Sequence, residues 1–348
     1  MTQTPTKIDQ IDIKAFYERL AQFGLKEGYV REKLLPDWWD KEFEKTQGAV
    51  VEAAAYVSGR INLDITSLLQ VDTQPKFKET CKHSFKVREG TGKDQLIVVQ
   101  GMADRIAELI TYACIPNAKS LDGISAITIR DEILTTERFV TLEGLLKFCW
   151  HYGVPVAYSN KFPDGQKKFD GMVGCFYERP VIVISRKHTS PAWLSFILAH
   201  ELGHIVKGHV KDTPIIDQDI KPDAGETDIQ EIEANDFAVE LLFGKKEADY
   251  SIASNFSGKA LADYARERSG EDAVDPSAVI LNYAWRKANL ATTDKEKKIV
   301  WATANKSLKI FNEGINAPDM LNYYLRQHLD WDRLSDDNQE YLELMIEV

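Results

Sequence analysis

The chain has 348 residues and only four cysteines. Cys81, Cys114, Cys149 and Cys175 lie far apart and form no CxxC pair. That spacing excludes a disulfide-built scaffold and a thiolate zinc ribbon, and it reads as small core residues of a reducing compartment. Long apolar runs are missing too. The stretch WLSFILA, residues 193–199, falls far short of the roughly 20 residues a membrane-spanning helix needs. The opening residues, MTQTPTKIDQ, lack the apolar stretch of a secretory signal, so a cytoplasmic protein is expected. Positive charge is in deficit: the net charge of -11 repels a polyanion over most of the surface. Broad nucleic-acid binding is therefore disfavoured, which leaves room only for a local patch. Neither a repeat of fixed period nor a low-complexity segment is present.

What remains is the composition of an ordinary globular protein, 44% hydrophobic and 28% charged, long enough for two or three domains. Residues 1–72 read as helices, with Gly24 as a stop, a second helix opening at Leu34–Asp40 with Asp37 as its cap, and a third after Gly48. The arrangement allows a helix-turn-helix, although this segment holds 9 Lys/Arg against 12 Asp/Glu. Trp38 and Trp39 read as core. Residues 73–125 form a helical connection containing a basic stretch, 76–93, that reads as a solvated loop. Within 126–245 the pattern changes to a helix over 142–150, short strands near 154–158, 169–176 and 181–184, and a helix from Ser190-Pro191. Residues 246–348 are helical again. The fold class is thus α+β and predominantly helical, with a small, mostly antiparallel sheet packed on one helix and helical regions on either side. The strand 170–176 is expected to lie at the sheet edge, where a peptide could pair in extended form.

That helix carries His200-Glu201-Leu202-Gly203-His204. Histidines four apart share one helix face, about 6 Å apart along the axis, so both imidazoles can reach one ion. Glu201 lies about 100° around, beside the ion, where it can take a proton from a water. Zinc brings that water's pKa towards about 7 and polarises a carbonyl, so a zinc-dependent hydrolase is indicated. Such a centre wants a third protein ligand, and the next helix offers Glu231, Glu233, Asp236 and Glu240. Phe237 and Leu241, four and eight residues on, select Glu233 as the one on the buried face. His209, five residues past His204, falls outside the ligand arc, and an outer or transition-state role for it is the minority reading. His188 reads as a turn histidine, and Tyr177, Arg179 and Arg186 are near enough in sequence to be considered for oxyanion stabilisation.

HELGHIVKGH, followed 29 residues after its second histidine by EANDFAVELL, resembles the ImmA/IrrE family of bacterial and phage metallopeptidases. FDGMVGCFYERPVIVISRKHTSPAWLSFILAHELGH is similar to that family's hairpin and active-site helix. The resemblance implies a zincin-like core, His200, His204 and Glu233 as ligands of one Zn2+ (Mn2+ being another candidate), and Glu201 as general base. It also implies a site-specific endopeptidase that cuts a partner protein, a repressor-type transcription regulator, in a stress, phage or mobile-element response. Two alternatives stand beside it. One is a non-proteolytic anti-repressor or DNA-binding regulator with a structural metal. The other is the protease half of a toxin–antitoxin or phage-defence pair.

Overall fold

The computed structural model describes residues 11–70, 73–74, 76–78, 86–87, 97–165, 169–188, 190–210, 215–217, 228–252 and 256–347. Most of the basic stretch 76–93 and of the polar loop 211–227 lies outside the described residues.

The first helix, α1 (Ile13–Gln22), starts where the Asp12 carboxylate accepts from the Ala15 amide at 2.7 Å and ends before Gly24 at φ +83°. A short α2 (Glu27–Tyr29) runs into a π turn over Val30–Leu34. No helix opens at Leu34–Asp40. Leu35 turns extended (φ -115°, ψ 154°), as the residue before a proline prefers, and Pro36 begins a turn instead. Asp40, not Asp37, does the capping: its Oδ1 accepts from the Glu42 and Phe43 amides and starts a 3-10 turn over Phe43–Lys45. Only Trp39 joins the core. Trp38 stays 51% exposed, edge-on to Phe43 and Tyr56. Next come α3 (Ala49–Ile61) and α4 (Ile65–Leu69), then α5 (Ile97–Ala113), α6 (Ala126–Leu134) and α7 (Leu142–His151).

Five short strands form one sheet in the order β1-β5-β3-β4-β2: β1 (Lys86–Val87), β2 (Val156–Tyr158), β3 (Gly171–Phe176), β4 (Arg179–Ile184) and β5 (Ile215–Asp217). The sheet is mixed. Its longest ladder, β3 with β4, is antiparallel, as is β3 with β5, whereas β2–β4 and β1–β5 are parallel. The strand expected at the edge, β3, is the middle one: Gly171–Val173 pair with β5 and the whole strand pairs with β4. β2, one of the two edge strands, is closed by the Asn322 amide, which accepts from the Tyr158 amide and donates to the Tyr158 carbonyl, both at 2.8 Å. A side-chain amide thus completes the ladder where a further strand would otherwise pair.

Two long helices follow the hairpin, α8 (Pro191–Val206) and α9 (Ile229–Phe243). The C-terminal part is helical: α10 (Gly258–Asp272), α11 (Pro276–Leu290), α12 (Asp294–Phe311), α13 (Ala317–Gln327) and α14 (Asp336–Ile346). Buried apolar side chains from Phe16 to Ile346 form one continuous cluster, so the flanking helices share a core with the sheet. Both α5 and α8 pack against β3 and β4. No helix among the described residues is long and apolar enough to cross a membrane.

Candidate metal centre

α8 begins at Ser190 with Pro191 at its first turn, where a missing N–H costs nothing. It is buried almost all round, against α7, α9, α11 and the sheet. Leu198 and Leu202 face the core, but His200, Glu201 and His204 are also fully buried. Buried imidazoles and carboxylates persist only when paired or coordinated, so these three demand partners.

Those partners come from α9. The two helices approach closely because a Cβ on Gly203 would sit 3.1 Å from the Ala234 Cα, a seam only small residues permit. Asp228 caps α9, its side chain accepting from the Gln230 amide at 3.0 Å, and Gly244 closes the helix at φ +70°. The carboxylate delivered to the histidines is that of Glu231. Its oxygens lie 3.5 Å from His200 Nε2 and 3.6 Å from His204 Nε2, and Glu231 is buried.

This geometry places Glu231, and not the expected Glu233, beside the two histidines. Taking 100° per residue, Glu231, Ala234, Asn235, Ala238 and Leu242 cluster within about 100° of arc, whereas Glu233 points about 160° away from Glu231. Phe237 and Leu241 are buried, Phe237 beside Gly203 on α8, but their burial does not carry Glu233 inward, because it lies on the far flank of that stripe. Glu233 is exposed, and with Asp236 and Glu240 it lines a separate cavity of about 350 Å³ beside α6.

Glu233 still reaches the centre indirectly. The helix ends at Val206, and Gly208 at φ +71° turns the chain back so that His209 Nδ1 comes 2.9 Å from His204 Nδ1. His209 Nε2 is 2.9 Å from Glu233 Oε2. On the other side, His200 Nδ1 is 3.0 Å from Asn235 Oδ1. One proton assignment satisfies both chains. His200 Nδ1–H donates to Asn235, His204 Nδ1–H donates to His209, and His209 Nε2–H donates to Glu233. Both Nε2 atoms then present lone pairs 3.1 Å apart towards a carboxylate. Two lone pairs and an anion converging in a buried space repel one another until a cation joins them. The ligand atoms of His200, His204 and Glu231 all lie within 4.8 Å of one another, a donor set that fits a divalent ion such as zinc. Outer groups that fix the ring tautomer are the usual support of such a centre, and the sequence signal for them was faint: one Asn and one His at unremarkable spacing.

Glu201 lies on the same helix against β3. A Cβ on Gly171 would fall 2.0 Å from Glu201 Oε1, so the carboxylate occupies the space a side chain there would fill. Of the three residues considered for oxyanion stabilisation, Arg186 pairs with Asp170, next to Gly171. Arg179 donates to the Gly153 carbonyl at 2.8 Å, and Tyr177 is 74% exposed at the hairpin tip.

His188 lies before α8 and accepts from the Ser190 amide through Nδ1 at 3.1 Å. Burial, reinforced by the nearby Arg186 cation, lowers its pKa from 6.5 to about 4. The unfolded chain therefore takes up this proton first, and stability falls as pH drops from 6.5 towards about 4. His188→Gln is expected to flatten that fall, read as the difference in urea midpoint between pH 7 and pH 4.5. An equal fall in both proteins would remove His188 as a source of acid sensitivity.

Two histidines and a glutamate on one helix, closed by a glutamate from a second, form a group that could hold a divalent ion beside a proton acceptor. Residues 150–266 match the IrrE N-terminal-like domain of the peptidase M78 family. The matched residues hold the whole centre, from His200 to Glu231, and are similar to that family over this stretch. No curated protein matches the chain.

Proposed function

We propose that the chain is a zinc-dependent endopeptidase making one site-specific cut in a partner protein, and that the partner is a repressor-type transcription regulator controlled in a stress, phage or mobile-element response. The observation that carries the reading is the convergence of His200, His204 and Glu231 beside Glu201. His200, His204 and Glu231 would hold the ion. When bound, it supplies a Lewis acid and lowers the pKa of a nearby water. Glu201 takes the proton from the attacking water as the new C–O bond forms, then hands it to the amine nitrogen as the C–N bond breaks. Asn235 and His209 keep the imidazoles oriented. Because these groups are buried and already in position, little reorganisation accompanies reaction.

The test is co-expression with the product of the adjacent open reading frame, with mass spectrometry reading new termini. One cut is expected, abolished by a chelator and restored by zinc. Glu201→Gln should slow it about 10²- to 10⁴-fold, the usual worth of a general base. Undiminished cleavage by Glu201→Gln would remove Glu201 from the chemistry. Regulation that survives metal removal with no cut would favour a regulator acting by binding alone.

A further inference from the structure

The place beside Glu201 along β3 is taken by the chain itself. β5 (Ile215–Asp217) runs antiparallel to β3, with Asp217 opposite Gly171, Ile216 opposite Met172 and Ile215 opposite Val173. On their other side the same three residues of β3 pair with Ile184, Val183 and Ile182 of β4. Gly171 is the residue whose missing side chain makes room for the Glu201 carboxylate. β5 therefore fills the one side of β3 that β4 leaves, at the level of the proposed general base.

The centre is correspondingly closed. His200, Glu201 and His204 show no exposed surface, and Glu231 is 7% exposed. A general base works within about 3 Å of the proton it takes, so a peptide bond reaches the water beside Glu201 only after a neighbouring element moves.

Those neighbours are held unequally. α8 and α9 pack along each other as long helices and carry the ligands. β3 and β4 pair over their whole length, Gly171–Phe176 with Arg179–Ile184. β5 is only three residues long, and β1, which backs it, has two. A few ladder hydrogen bonds and the burial of Ile215 keep it in place, and elements with so little anchoring are the first to open locally. An extended segment added beside a strand is also the form in which a docked peptide pairs.

We infer that β5 is an intramolecular stand-in for the substrate: it holds β3 at Gly171–Val173 in a closed form, and an extended segment of the partner protein takes its place in order to be cut. The inference rests on the peptidase reading for the use of the freed position, but occupancy of that position is measurable without turnover. Full-length Glu201→Gln protein, purified with zinc, is titrated with fluorescein-labelled Thr-Pro-Ile-Ile-Asp-Gln-Asp, the sequence of residues 213–219, by fluorescence anisotropy. Adding Ile215→Ser, which weakens β5, should tighten binding about ten-fold or more, because apparent affinity rises with the fraction of protein whose β5 is released. The peptide with Pro for its second Ile lacks a ladder donor and should bind neither protein. Equal affinity with and without Ile215→Ser, or equal binding of the two peptides, would overturn the stand-in.

A second experiment holds β5 in place and stands even where Ile215→Ser misfolds. Residues opposite one another in an antiparallel pair have Cα atoms about 4.5–5.5 Å apart, within reach of a disulfide. Met172→Cys with Ile216→Cys should therefore bridge on oxidation. The bridged protein should cut the product of the adjacent open reading frame about 50-fold more slowly than the same protein reduced, since it has no released fraction. Each single-cysteine variant, carried through the same oxidation, should keep its rate. Undiminished cleavage by the bridged protein sinks the stand-in and leaves the peptidase intact. Failure to bridge would put β5 off this register and sink it too. Tighter peptide binding in Ile215→Ser without cleavage by any form does the reverse.

Discussion

Replacing Glu231 with Gln is expected to lower zinc affinity by well over 100-fold and to abolish peptidase activity, whereas Glu233→Gln should cost about 10-fold. The difference follows from where the two carboxylates sit. Glu231 is buried with its oxygens 3.5 and 3.6 Å from the two histidine Nε2 atoms, within the group whose ligand atoms all approach one another to 4.8 Å. An amide there keeps the shape but loses the anion that balances a divalent ion. Among the described residues the Glu233 carboxylate pairs with His209, 2.9 Å away, and His209 in turn meets His204. Losing such an outer group typically lowers metal affinity about 10- to 100-fold, and exposure of Glu233 to water puts it at the low end. Competition with a chromophoric chelator measures both affinities. Tighter dependence on Glu233 than on Glu231 would show that α9 presents the opposite face in the metal-bound protein.

A single methyl group should do nearly as much damage to turnover. Gly171→Ala places a Cβ 2.0 Å from Glu201 Oε1, well inside any real contact distance. Either the strand or the carboxylate must move, and β3 is held by pairing on both sides. The general base is therefore the part that shifts, and a misplacement of about 1 Å costs on the order of 100-fold in rate. Overpacking of this kind also destabilises by about 1–3 kcal/mol. Zinc content should stay at one ion per chain, because His200, His204 and Glu231 are untouched. Gly59→Ala, on a helix face with nothing within 4 Å, is the control and should leave activity unchanged. Wild-type rates in Gly171→Ala would mean that Glu201 works from another position.

Much of this centre was readable before any coordinates. Residues four apart on a helix share a face whatever the helix packs against, so the pairing of His200 with His204, and the helix itself, follow from local geometry alone. The α+β, mainly helical class was equally legible, since Ser190-Pro191, Gly24 and Gly48 mark boundaries by their own backbone preferences. Local signals were weaker where two rules competed. At Leu34–Asp40 an apolar pattern suggested a helix, but Pro36 forced Leu35 to be extended and passed the capping role from Asp37 to Asp40.

Amino-acid order determined which chemistry this protein carries: two imidazoles and a carboxylate on one helix, with acids waiting on the next. Tertiary structure alone decided which acid meets them and where β3 lies in the sheet. The rotation of one helix against another is set by close packing along the whole contact. The missing side chain at Gly203 lets both Ala234 and Phe237 of α9 close in, and in that packing Glu231 faces inward and Glu233 out. Strand order likewise depends on segments distant in the chain, since β5 reaches β3 from the far side of α8. No window of sequence around either strand contains that information.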